Sequence, residues 1–136
     1  MDISRFKADH QVIAKGIADL RLLVQQGLAQ NADRIVEHLH QLSAKIKLHL
    51  NAEDAVLYPA LMRQSASAPA ETARQFQSEM GDLAKVYGAF TQKWAYGKLI
   101  VDNQDAFKAD ANTVFQALHE RVRRENQELY PLAEQV

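Results

Sequence analysis

A length of 136 residues suits one domain over positions 1–136 with a core of its own, and 16 basic against 17 acidic side chains leave a formal charge of −1. With no long run of one sign, the chain lacks an electrostatic footprint for nucleic acid or an anionic lipid surface. The absence of cysteine excludes disulfides, thiolate zinc sites and iron–sulfur clusters, so any metal here is held by nitrogen and oxygen.

The first ten residues, MDISRFKADH, are already charged and amphipathic, and no later stretch reaches the roughly 18 apolar residues that cross a bilayer. A cytoplasmic chain with neither membrane nor nucleic-acid partner is expected. Apolar residues recur at spacings of three and four, broken by only five glycines and three prolines, which is the period of helices and not of strands. The first helix runs over about 4–27, with Phe6, His10, Ile13, Ile17, Leu20 and Val24 on its inner face and Gly27 as its stop. The second, about 32–63, follows Asn31, a good N-cap. It turns Ile35, Leu39, Leu42, Ile46, His49, Glu53 and Leu57 inward before Pro59 disturbs its last turns.

A linker of small residues over 65–70 leads to a third helix, about 69–96, with Phe76, Met80, Leu83, Tyr87, Phe90 and Trp94 inward; Tyr87 and Trp94 read as core packing. The fourth, about 103–134, places Phe107, Ala111, Val114, Leu118, Glu125 and Leu129 inside, while Arg121, Arg123 and Arg124 read as a solvated face. Long helices with short joins predict an all-α, antiparallel up-down-up-down four-helix bundle.

The sequence also repeats itself. Inner positions of helix 1 map onto helix 3 at an offset of 70, from Phe6 with Phe76 and His10 with Met80 to Val24 with Trp94. Helix 2 maps onto helix 4 at an offset of 72, pairing Ile46 with Leu118, His49 with Arg121 and Glu53 with Glu125. The tripeptide Leu57-Tyr58-Pro59 recurs as Leu129-Tyr130-Pro131. Two related helical hairpins about a pseudo-twofold axis are implied.

His49 and Glu53 are an i, i+4 pair, so an imidazole and a carboxylate project from one face a turn apart. His10 lies about nineteen residues before the first turn and His49 about nineteen after it, which brings both to one level in an antiparallel hairpin. Met80, Arg121 and Glu125 meet at the matching level of the second hairpin. A lone histidine on an apolar face is ordinarily a hydrogen-bonded core residue, but a Glu buried beside two histidines calls for a cation or a proton. His38 and His40 lie about 14–16 Å from His49 along the axis and are not expected as ligands.

These residues resemble the hemerythrin-like, or HHE cation-binding, family. The resemblance is carried by Ala8-Asp9-His10, by His49-Leu50-Asn51-Ala52-Glu53-Asp54 leading into Leu57-Tyr58-Pro59, and by the segment from Glu125 to Pro131, and it extends over essentially the whole chain. It implies a metal site that in the family holds a pair of irons and serves oxygen binding or the handling of iron and nitric oxide. Carried over by position, the ligands are His10, His49, Glu53 and Glu125.

The departures are equally specific. The family's third helix usually supplies one or two histidines, where this chain has Met80 beside Ser78 and Glu79, and its fourth usually has a histidine where Arg121 stands. His119 is a further candidate ligand, although it lies roughly 160° around the helix from Arg121. The cofactor implied is iron, as one ion or a pair, with zinc or manganese as alternatives; the implied ligands are oxygen or nitric oxide. The competing reading is a metal-free bundle kept as an interaction or sensor module, with the Arg121 guanidinium in the second metal's place pairing Glu53 and Glu125. A third has Arg121 extending to solvent. No nucleophile or phosphate-binding motif is present, so an enzyme is not expected, and homo-oligomerisation is left open.

Overall fold

A computed structural model describes residues 1–65 and 67–136. Helix α1 (Ser4–Gly27) leads to α2 (Ala32–Ala52), which continues through a π-helical turn, π1 (Glu53–Leu57), into α3 (Tyr58–Met62). The second half comprises α4 (Ala68–Met80), α5 (Leu83–Lys93), α6 (Gly97–Asp102), α7 (Gln104–Arg124), a second π turn, π2 (Glu125–Leu129), and α8 (Tyr130–Glu134). No strand occurs among the described residues, and the architecture is an all-α helical bundle. None of these helices is long and apolar enough to cross a membrane.

The expected stop at Gly27 is present, with φ of 133°, a backbone conformation that glycine adopts without a Cβ penalty. Asn31 stands at the expected N-cap position of α2, its carbonyl accepting from the Ile35 N–H at 2.8 Å, but its side chain serves α1 instead. Its side-chain amide donates to the Gly27 carbonyl at 2.8 Å and so closes the end of α1. Its φ and ψ of −112° and 14° lie outside the extended region from which a cap side chain reaches the next turn, and it makes no cap hydrogen bond to α2.

Pro59 and Pro131 do more than end a helix. Proline has no N–H, and its ring collides with the carbonyl four residues back. In π1 the turn opens by one residue, and the Tyr58 N–H donates to the Glu53 carbonyl, five residues earlier. Tyr130 does the same to Glu125.

The third predicted helix is not continuous. It breaks at Gly81 and Asp82, where a Cβ on Gly81 would meet the Gln77 carbonyl, and α5 stops at Trp94 instead of 96. There the Trp94 indole N–H donates to Asp110 Oδ2 of α7 at 3.0 Å, and the short helix α6, not anticipated from the sequence, fills the connection. The small-residue linker expected over 65–70 includes position 66, which lies outside the described residues; Ser67 caps α4, its hydroxyl accepting from the Ala70 N–H at 3.3 Å.

Helix α2 packs against α1, α5 and α6, and α7 against α5. The apolar interior falls into two bodies. The larger contains Ile13, Leu20, Ile35, Leu39, Leu42, Ile46, Tyr87, Phe90, Trp94, Phe107 and Leu118. The smaller, at the π-turn end, contains Ile3, Leu57, Tyr58, Leu61, Phe76, Leu129 and Tyr130. Along α1, α2 and α7, the buried ionisable residues lie between these two bodies.

Candidate metal centre

Five ionisable side chains meet in that gap: His10 from α1, His49 from the last turn of α2, Glu53 from the first position of π1, Arg121 from α7 and Glu125 from the first position of π2. Each is at most 3% exposed. One ligating atom from each of His10, His49, Glu53 and Glu125 lies within 4.8 Å of all the others. The two imidazole rings stand 4.7 Å apart at 65° to one another.

Each histidine is anchored from behind. His49 Nδ1 lies 3.0 Å from Asp9 Oδ2, and His10 Nδ1 lies 2.8 Å from Asn126 Oδ1. With those oxygens as acceptors, both Nδ1 atoms carry the proton and both Nε2 atoms present a lone pair to the interior, the arrangement that outer hydrogen bonds give to metal-binding histidines. His49 Nε2 approaches Glu53 Oε1 to 3.0 Å without hydrogen-bonding geometry, and it is the one buried side-chain nitrogen or oxygen without a partner among the described residues. His10 Nε2 faces Glu125 Oε1 at 3.1 Å. Two nitrogen lone pairs thus confront two carboxylate oxygens, a juxtaposition of acceptors that a shared cation or added protons would relieve.

The outer oxygens of the carboxylates are held by a crossed pair of tyrosines. Tyr58, from the first half, donates to Glu125 Oε2; Tyr130, from the second, donates to Glu53 Oε2 at 2.6 Å. Tyr130 also stacks on His10, with its hydroxyl 3.0 Å from Nε2. Burial and the neighbouring carboxylates push both phenols well above the usual tyrosine range, so they remain neutral donors.

Arg121 is fully buried, which overturns both the solvated-face reading and the reading in which it extends to solvent. Its Nε donates to Glu125 Oε2 at 3.1 Å, Nη2 to Asp54 Oδ1 at 2.8 Å and to Glu53 Oε1 at 3.3 Å, and Nη1 to the Met80 carbonyl at 3.5 Å. The guanidinium also lies over the Tyr58 ring, 5.1 Å from its centroid. Burial disfavours its charge, but Glu125, Tyr58, Glu53 and Asp54 outweigh that and hold it firmly protonated. Of its neighbours in sequence, Arg124 pairs with Glu79 and Glu128, while Arg123 pairs with Glu120 at the surface.

The surroundings shift the two carboxyls in opposite directions. Burial and the charge of Glu125 raise Glu53 above the usual range, against the pull of His49 and Arg121. Burial also presses on Glu125, but His10, Arg121 and Tyr58 outweigh it and hold Glu125 below the usual range. For His49, burial favours the neutral ring, yet Glu53, Asp9 and Glu125 prevail and its pKa is raised.

Four of the five expected ligands are therefore brought together, and His119 is not. It is exposed on α7, away from the four converging atoms, as its angular offset from Arg121 implies. The Met80 side chain is also outside the group, with its sulfur 3.8 Å from Arg124 Nη1. Sequence reasoning missed Asp9 and Asn126 behind the histidines, Asp54 on Arg121, and the tyrosines; the recurring Leu-Tyr-Pro was the available signal for the last.

A helical bundle with imidazoles and carboxylates converging in its interior defines a class of cation-binding protein. The Hemerythrin HHE cation binding domain family matches residues 1–133, and the chain belongs to that family. Searches of curated proteins and of solved structures returned no match.

Proposed function

We propose that this chain binds a metal ion through His10, His49, Glu53 and Glu125, with iron as first choice, and that it serves the handling or sensing of oxygen, nitric oxide or iron itself. The observation that carries this reading is the unpartnered, buried Nε2 of His49, within 4.8 Å of three other donors. Two imidazoles and two carboxylates are a donor set suited to iron, and also to zinc or manganese. Iron held there would supply a redox-active centre able to take a diatomic ligand.

The protein's own part is orientation and exclusion. Asp9 and Asn126 fix the histidine rings, Tyr58 and Tyr130 fix the carboxylates, and the two apolar bodies keep bulk water away. Elemental analysis of protein purified without chelator or affinity-tag metal tests the reading. Stoichiometric iron, manganese or zinc supports it, and its absence, persisting after incubation with ferrous ion, refutes it.

A second reading is favoured by one observation, the closure of Arg121 on both Glu53 and Glu125. In it the guanidinium is the only cation in the centre, and the bundle works metal-free as an interaction or sensor module. An absorption spectrum before and after dithionite separates the two, since the metal-free module shows only its Trp94 and tyrosine bands.

A further inference from the structure

Resting on the reading that the cluster binds metal, we infer that the centre takes a single divalent ion and that Arg121 closes the second position. The argument begins with the carboxylate oxygens. Glu125 Oε2 is occupied by the Tyr58 hydroxyl and Arg121 Nε, and Glu53 Oε2 by the Tyr130 hydroxyl. What remains is Glu53 Oε1 and Glu125 Oε1, which face His49 Nε2 at 3.0 Å and His10 Nε2 at 3.1 Å. Among the described residues, those four atoms are otherwise approached by the Tyr130 hydroxyl near His10 and by Arg121 Nη2, a long 3.3 Å contact to Glu53 Oε1, while the two carboxyls lie against each other. One set of two nitrogens and two oxygens is left, enough for one ion.

The other half of the pseudosymmetric centre has no equivalent set. The positions matching His10 and His49 are Met80 and Arg121. The first contributes its backbone carbonyl to Arg121 and its sulfur to Arg124; the second is itself a cation. A second metal ion would have to displace a guanidinium that has no exposure and is bonded to three carboxylates.

The test is a titration of the metal-free full chain with cobalt(II), read by its d–d absorption and by native mass spectrometry. The wild type is compared with a Met80→His/Arg121→His double variant that restores imidazoles to the second half. One equivalent in the wild type and two in the double variant is the expected result. Two equivalents in the wild type, or one in a double variant whose circular dichroism shows it folded, overturns the inference while leaving metal binding intact. No uptake by the wild type refutes metal binding itself, and this inference with it. If the double variant does not fold, the wild-type count decides alone, one equivalent supporting the inference and two overturning it.

Discussion

Replacing Arg121 with Met keeps the aliphatic stem but deletes the charge that joins Glu125, Glu53 and Asp54. Two fully buried carboxylates would then face each other without a cation, and breaking a buried pair in this way costs about 4 kcal/mol. An unfolding entropy of about 2.1 cal/mol/K per residue gives roughly 0.29 kcal/mol/K for 136 residues, so the melting temperature should fall by about 14 °C in chelator at neutral pH. The loss should depend on pH with a definite sign. Glu53 already has a raised folded-state pKa, and without Arg121 it loses one of the charges that restrain that rise. Above the unfolded carboxylate pKa of about 4.3 and up through the folded value, the folded state then binds more protons than the unfolded one, so stability falls as pH rises. Urea denaturation of wild type and variant at pH 5 and pH 8 should show the smaller deficit at pH 5. A deficit below about 1 kcal/mol at pH 8, or one that does not shrink at pH 5, would refute the claim that Arg121 is the charge holding these carboxylates.

Metal content measured after loading should drop at least roughly tenfold in His49→Ala and stay at the wild-type level in His119→Ala; equal loss in both would return His119 to the ligand set. Tyr130→Phe leaves Glu53 Oε2 without its hydroxyl donor and should destabilise the metal-free protein by about 1.5–3 kcal/mol in denaturant titrations, with the fold retained by circular dichroism. Gly27→Ala forces a Cβ onto a residue at φ 133° and should cost about 1–3 kcal/mol of unfolding free energy, although the position is far from the metal ligands. A neutral result there would mean that the turn between α1 and α2 relaxes into an ordinary conformation.

Much of this arrangement was legible from residue spacing alone. Counting from the first turn put His10 and His49 at one level, and the duplication carried that level to Arg121 and Glu125, because helical rise is uniform and the inner positions of the two hairpins pair at nearly constant offsets. What spacing could not reveal was which way Arg121 turns, since the choice between solvent and interior rests on whether three carboxylates surround it in space. The tyrosines were hidden for a different reason. Five residues of α-helix separate two side chains by about 140°, which would have put Tyr58 away from the inner face that Glu53 marks. The π turn takes up about 100° of that offset, and both residues are buried. The break at Gly81 and the added helix α6 were missed because one glycine inside an apolar period is often tolerated, and because the hydrogen bond that stops α5 at Trp94 goes to a residue sixteen positions away.

The two π turns make this a molecule sensitive to length even where its side chains face solvent. Ala55 and Val56 are exposed, so exchanging either for another helix-forming side chain touches nothing in the interior. Removing either one is a different matter. Closing π1 to an ordinary turn would swing everything downstream by about 100°, carrying Tyr58 off Glu125 and unseating the apolar body built on Leu57 and Leu61. A one-residue deletion in π1 or π2 should therefore do more damage than any single exchange of its exposed side chains. A comparison of related chains should find their variation here confined to substitutions.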